Sequence, residues 1–197
     1  MKKLIIFFYL TTISTVSQEI AIDSMKIENL EEVLVSSVRV KNNIPIAYNN
    51  ISKKEISNRN LGQDLPILLN FLPNVVTTSD AGAGIGYTGI RIRGINSQST
   101  NVTINGIPYN DAESLGTFWV DLPDFSSSVE NLQVQRGIGS SVNGSSAFGA
   151  SINILTDKIS DDPYFENSNS IGSYNTLKNT FRFSTGLINE QFEFSGR

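Results

Sequence analysis

Val129 to Leu155 reads VENLQVQRGIGSSVNGSSAFGASINIL, two apolar-alternating segments around a Gly/Ser-rich stretch of more than a dozen residues. Leu132 and Val134 face one way, Gln133 and Gln135 the other, and Ile152 and Ile154 repeat the pattern, so both flanks are strands. A glycine-rich loop after a strand can cradle a phosphate when a lysine follows its last glycine and a helix follows that. Here Gly144 leads into Ser145, Ser146 and a strand. The stretch is therefore a turn-rich connection inside a domain built largely of strands.

Working outward toward the N-terminus, Val102-Thr103-Ile104-Asn105-Gly106-Ile107-Pro108 carries a hairpin signal, because Asn-Gly supplies the positive φ angles of a type I′ turn. Upstream, SDAGAGIGYTG contains a formal G-x-G-x-x-G at Gly84, Gly86 and Gly89. Its glycines lead into the alternating strand Ile90-Arg91-Ile92-Arg93 and not into a helix, which argues against a dinucleotide site. Val75 and Val76 begin another strand. Asp64 to Phe71 is expected to form a short helix with Pro66 in its first turn and Pro73 as its stop. Ser52 with Glu55 three residues on has the form of a helix-capping box.

Composition narrows the chemistry. The 197 residues carry net charge −4 and contain neither Cys nor His. Thiolate and imidazole nucleophiles and His/Cys metal cages are thereby excluded. With no basic stripe, a nucleic-acid partner is not expected. The acidic pair Asp111 and Glu113 is read as a solvated loop, since no second carboxylate cluster accompanies it. No catalytic role, cofactor or metal is expected.

The N-terminus has the form of an export signal over residues 1–17, with Lys2 and Lys3 before the apolar run LIIFFYL and small residues before Gln18. Residues 18–40 read as a flexible tail ending in LEEVLVSSVRV. That segment is either the first strand of the domain or an extended peptide that adds to a partner's sheet edge. After Asp157 the character changes. Phe165 to Tyr174, Thr176 to Leu187 and Gln191 to Ser195 read as three strands, with turns at Asn175 and at Asn189-Glu190. Apolar and polar residues alternate along them, as in a transmembrane β-barrel or in an ordinary half-buried hairpin.

Taken together, IRIRG (90–94), VTINGIPYND (102–111), VENLQVQRG (129–137) and NGSSAFGASINI (143–154) resemble the plug domain of TonB-dependent outer-membrane receptors, most closely the Bacteroidetes-type branch. The resemblance implies an α+β plug domain with a small mixed β-sheet and short helices over residues 41–156. The first antiparallel strands of a transmembrane β-barrel would follow over 157–197, an incomplete barrel as the sequence stands. It implies residence in the outer membrane, with the plug on the periplasm-accessible inside of a barrel of about 22 strands. The partners implied are TonB, membrane lipid and a small-molecule cargo. Leu30, Glu31, Glu32, Val33, Leu34, Val35 and Ser36 resemble the TonB box. Arg93 and Arg136 match family arginines that pair with carboxylates on the barrel wall. Three loops, at 79–88, 94–100 and 108–119, would face outward, with Tyr87, Asn96, Gln98, Tyr109 and Asn110 as candidates for touching cargo. Asn143 stands where the family usually has tyrosine. The box lacks the continuation seen in glycan importers, which tilts the expected cargo toward an iron–siderophore or other metal chelate.

Overall fold

The structure is a computed structural model, and it describes residues 39–40, 45–138, 145–173 and 175–197. The export signal and the segment from Leu30 to Ser36 lie outside the described residues. Strand β1 (Tyr48–Ser52) runs directly into helix α1 (Lys53–Arg59). The junction is sharp because Ser52 caps the helix: the Glu55 N–H donates to Ser52 Oγ at 3.4 Å, and the Ser52 N–H donates to Glu55 Oε2 at 2.8 Å. Helix α2 (Leu65–Leu68) is shorter than the segment expected from 64 to 71. Turns carry the chain on to Leu72, and Pro73 prevents any longer helix.

β2 (Val75–Ser79) and β3 (Thr88–Ile92) form a separate antiparallel hairpin. β4 (Thr100–Ile104) turns through Asn105 and Gly106, with φ of 51° and 81°, into β5 (Ile107–Pro108). These are the angles a two-residue type I′ turn requires. β6 (Val129–Arg136) and β7 (Ala150–Thr156) complete a five-stranded sheet in the order β1-β6-β7-β4-β5, in which only β4 and β7 are parallel. The sheet is thus mixed and its central strands come from distant parts of the chain.

Register places Ile51, Leu132, Val134, Ile152, Ile154 and Val102 on one face. That face packs with Ile56 of α1, Leu65 and Leu68 of α2, Ile90 and Ile92 of β3, and Trp119. Burial of this apolar surface is the main stabilising term of the domain. The centre of the opposite face does not meet solvent either. Gln133 and Gln135 are 2% and 0% exposed, and Ser151, Asn153, Asn101 and Thr103 beside them are also buried. The alternation seen in the sequence therefore separates an apolar buried face from an amide-rich buried face. The second is tolerable because its groups bond to one another: Thr103 Oγ1 donates to Asn153 Oδ1 at 2.7 Å, and Gln135 Nε2 donates to Gln133 Oε1 at 2.9 Å.

Beyond this domain, β8 (Tyr164–Ile171) and β9 (Leu177–Ser184) pair antiparallel along eight residues, joined through Asn175 at φ 60°. The third strand expected at 191–195 is reduced to β10 (Ser195–Gly196) beside β9. Asn189 and Glu190, both at positive φ, fold the preceding residues into a tight turn closed by an Ile188–Phe192 bridge, and this displaces the pairing toward the C-terminus.

Candidate functional site

The strand pair β8–β9 has two unlike faces. One carries Phe165, Phe181, Phe183, Ile171 and Leu177, with Phe165 opposite Phe183. This face is bare: Phe165 is 72% exposed and Phe181 55%, and Phe192 and Phe194 beyond β9 are exposed as well. The other face carries Glu166, Lys178, Thr180 and Arg182 and turns toward the five-stranded domain.

Contacts on that polar face are ionic. Lys178 Nζ donates to Asp124 Oδ1 at 2.6 Å, to Asn60 Oδ1 and to Ser127 Oγ. Arg182 pairs with Asp157 and, at 3.5 Å, with Glu166. Asp157 also accepts from Lys53 Nζ of α1 at 2.7 Å, and Arg197 reaches Asp124 at 3.1 Å. Burial pushes the Asp124 carboxyl up, but the bonds from Lys178 and Ser127 and the charge of Arg197 prevail, and it lies below its ordinary value. Burial likewise opposes the Lys53 ammonium, yet Asp157 and Glu130 hold its pKa above the usual lysine value. Between α1 and the strand pair lies a hydroxyl-rich cleft of about 450 Å³, with Ser57, Ser127, Ser168 and Lys178 among its walls. Sequence reasoning missed this network. The signal available was the spacing of Lys178 and Arg182, four apart on one strand and therefore on one face.

Arg93 and Arg136 converge. Arg93 has a left-handed backbone (φ 55°), fixed by its N–H donating to Asn74 O at 2.8 Å. Its Nη1 lies 2.6 Å from the point where a Cβ would stand on Gly137. Arg136 directs Nη1 at Pro73 O, 3.4 Å away, and its Nε is buried without a partner. Among the described residues neither arginine makes an ion pair. Two guanidinium groups thus share one end of the domain with no carboxylate among the described residues paired to them.

Of the three loops, two adjoin. Asn110 Nδ2 donates to Thr100 O and Leu115 O, both at 2.9 Å, while its Oδ1 accepts from the Val102 N–H at 2.8 Å. The Asn110 amide is therefore committed to holding the 108–119 loop against β4. Asp111 caps the same loop, and the Ser114 N–H at 2.6 Å holds its carboxyl below the ordinary value. Asn96 and Gln98 are exposed nearby in sequence, whereas Tyr109 is half-buried against the core. Tyr87 is 68% exposed but belongs to the β2–β3 loop, at the opposite end of that hairpin from Gly94. The structure brings the second and third loops together and sets the first a strand's length away.

A family described as the TonB-dependent Receptor Plug Domain matches residues 40–151. The chain belongs to that family, and the plug fold is the mixed sheet with its short helices described above. It is 29% identical over 137 residues to the vitamin B12 transporter BtuB of Vibrio vulnificus, covering 70% of this chain and 20% of that protein. Among solved structures, the ferripyoverdine receptor of the Pseudomonas aeruginosa outer membrane superposes with a TM-score of 0.58 at 14% identity, over 77% of this chain and 19% of that one. The ferric yersiniabactin uptake receptor FyuA of Yersinia pestis gives 0.55 at 18% identity, over 74% and 22%. The chain spans about a fifth of the length of the curated relatives it matches.

Proposed function

We propose that the chain is the N-terminal part of a TonB-dependent outer-membrane receptor for energy-coupled uptake of a scarce solute, an iron–siderophore or similar metal chelate, and that it has no catalytic role. The observation that carries this reading is the two-faced strand pair, salt-bridged to the plug on one side and lined with bare phenylalanines on the other. Apolar-out, polar-in strands are what a barrel wall in lipid requires around a polar plug. The unbalanced pair Arg93 and Arg136 fits the same reading, since carboxylates on the barrel wall would neutralise both. A ferric complex appears in the names of both structural neighbours above, which supports a metal chelate as cargo. Exposed Tyr87, Asn96 and Gln98 are the side chains best able to meet it.

In this reading, residues Leu30 to Ser36 add as a strand to the periplasmic domain of TonB, so that a row of main-chain hydrogen bonds can carry force. Val33→Pro with Val35→Pro removes ladder N–H groups. Capture of the chain by the TonB periplasmic domain should fall at least tenfold, and undiminished capture would refute the assignment. A free-standing periplasmic plug-like module is the alternative. It requires Phe181, Phe183, Phe192 and Phe194 to be buried against the plug, and the exposure of Phe181, Phe192 and Phe194 counts against it.

A further inference from the structure

The amide-rich face of the sheet holds a seat that neither the loops nor the arginines use. Gln133 fills all four hydrogen-bonding positions of its side chain. Its Oε1 accepts from the Val40 N–H at 2.8 Å and from Gln135 Nε2 at 2.9 Å. Its Nε2 donates to Val40 O at 3.2 Å and to Asn50 Oδ1 of β1 at 2.8 Å. One amide thus takes both main-chain groups of Val40, as a neighbouring strand residue would in an antiparallel hydrogen-bonded pair. The seat holds the main chain of Val40, whose side chain is itself buried at 5% exposure. Arg39 adds a third tie, from Nη2 to Asn153 O at 3.2 Å.

Position along the chain gives the seat its meaning. Arg39 lies three residues past Ser36, and the next attachment among the described residues is Ala47, whose carbonyl accepts from the Arg136 N–H at 2.9 Å, followed at once by β1, paired with β6 from Tyr48 to Ser52. Among the described residues, tension entering from the N-terminus therefore meets Arg39 and Val40 before it meets a strand. We propose that Gln133 is the release catch of the N-terminal segment, a main-chain seat from which Arg39 and Val40 are drawn before the sheet is disturbed. The proposal rests on the reading of residues Leu30 to Ser36 as the point of traction. Once Val40 leaves, the chain from there to Ala47 can be drawn out to a span of at most ~24 Å, at ~3.4 Å per residue, and the gain is that span less the separation its ends already have. Gln133 is then left with buried, unmatched groups while still holding Asn50, so departure of Val40 also weakens the hold on the edge strand.

The test is mechanical and needs no partner. The chain has no cysteine of its own, so Ser36→Cys gives a single handle for pulling the full chain in a force spectrometer against a C-terminal tether. A low-force extension of less than ~24 Å is expected before β1 ruptures. Val40→Pro lies outside the described strands and removes the N–H that Gln133 accepts, one of the three ties; it should lower the force of the first step and keep the β1 rupture. Gln133→Asn, one methylene shorter, should lower the force of the first step. Persistence of that step at unchanged force in both variants overturns the proposal. TonB capture is measured separately on the same proteins. A responsive step without capture leaves the seat standing and removes the transport reading, whereas capture with an unresponsive step does the reverse.

Discussion

Lys178 on β9 and Asp124 beyond the 3₁₀ turn at Trp119–Asp121 meet at 2.6 Å, and the same ammonium also donates to Asn60 and Ser127. A single strand side chain therefore gathers three plug groups, and the strand pair is held to the plug at a defined point.

The first prediction concerns acid. The folded Asp124 carboxyl lies below its ordinary value of 3.8, so its contribution is complete above that value and is lost as pH falls through the lower folded one. Both partners are partly buried, and Asp124→Asn should cost about 1 kcal/mol at pH 7. Variant and parent should converge in strongly acidic buffer. Urea unfolding followed through Trp119, the only tryptophan, reads both limits.

Gly149 is a second sensitive point. A Cβ there would stand 2.5 Å from Ile95 Cγ2 and 3.0 Å from Ser99 O, so side chain and backbone must both move. Gly149→Ala should destabilise by roughly 2–3 kcal/mol and displace the 94–100 loop. Gly82→Ala is the control: its Cβ meets nothing within 4 Å, and only the left-handed backbone (φ 71°) resists, at ~1 kcal/mol. Equal urea midpoints for the two variants would contradict this account.

Removal of the Asn110 amide by substitution to alanine deletes three hydrogen bonds at once. The expected loss is roughly 2–3 kcal/mol. Its signature is local: amide exchange of Val102, whose N–H donates to Asn110, should quicken well before that of Leu132 or Ile152.

Arg93→Ala should change the stability of this chain by no more than about 0.5 kcal/mol, because among the described residues its guanidinium has no ion pair to lose. On the proposed reading, in which barrel-wall carboxylates face Arg93, a longer receptor that carries them should lose more than this chain does. Chemical denaturation of the two forms side by side measures the difference.

Much of the fold was legible because it is local. The Asn105-Gly106 turn, the Ser52 and Glu55 cap and the period-two strands each announce themselves within a few residues. The buried polar face was harder, since Gln133 and Gln135 alternate with valine and leucine just as solvent-facing residues do. The available hint was that Asn101, Thr103, Ser151 and Asn153 are uncharged, whereas a wet strand face usually carries Lys or Glu. The plug–strand ion pairs were invisible for a different reason. Lys178 and Asp124 are far apart in sequence, and only the three-dimensional docking brings them together. Arg93 and Arg136 were recognisable by motif, but their convergence beside Gly137 depends on how β3 and β6 end.

Strand order in the five-stranded sheet also sets a schedule. β1 pairs only with β6, and β4 lies beside β7, so neither finds its partner until much later parts of the chain are available. Of the adjacent pairs, β4–β5 and β6–β7 alone join consecutive strands, and the remaining pairings close long loops. A polypeptide delivered N-terminus first therefore carries Tyr48–Ser52 as an open edge throughout the passage of everything up to Val129, a long interval in which pairing with a second molecule competes with correct assembly.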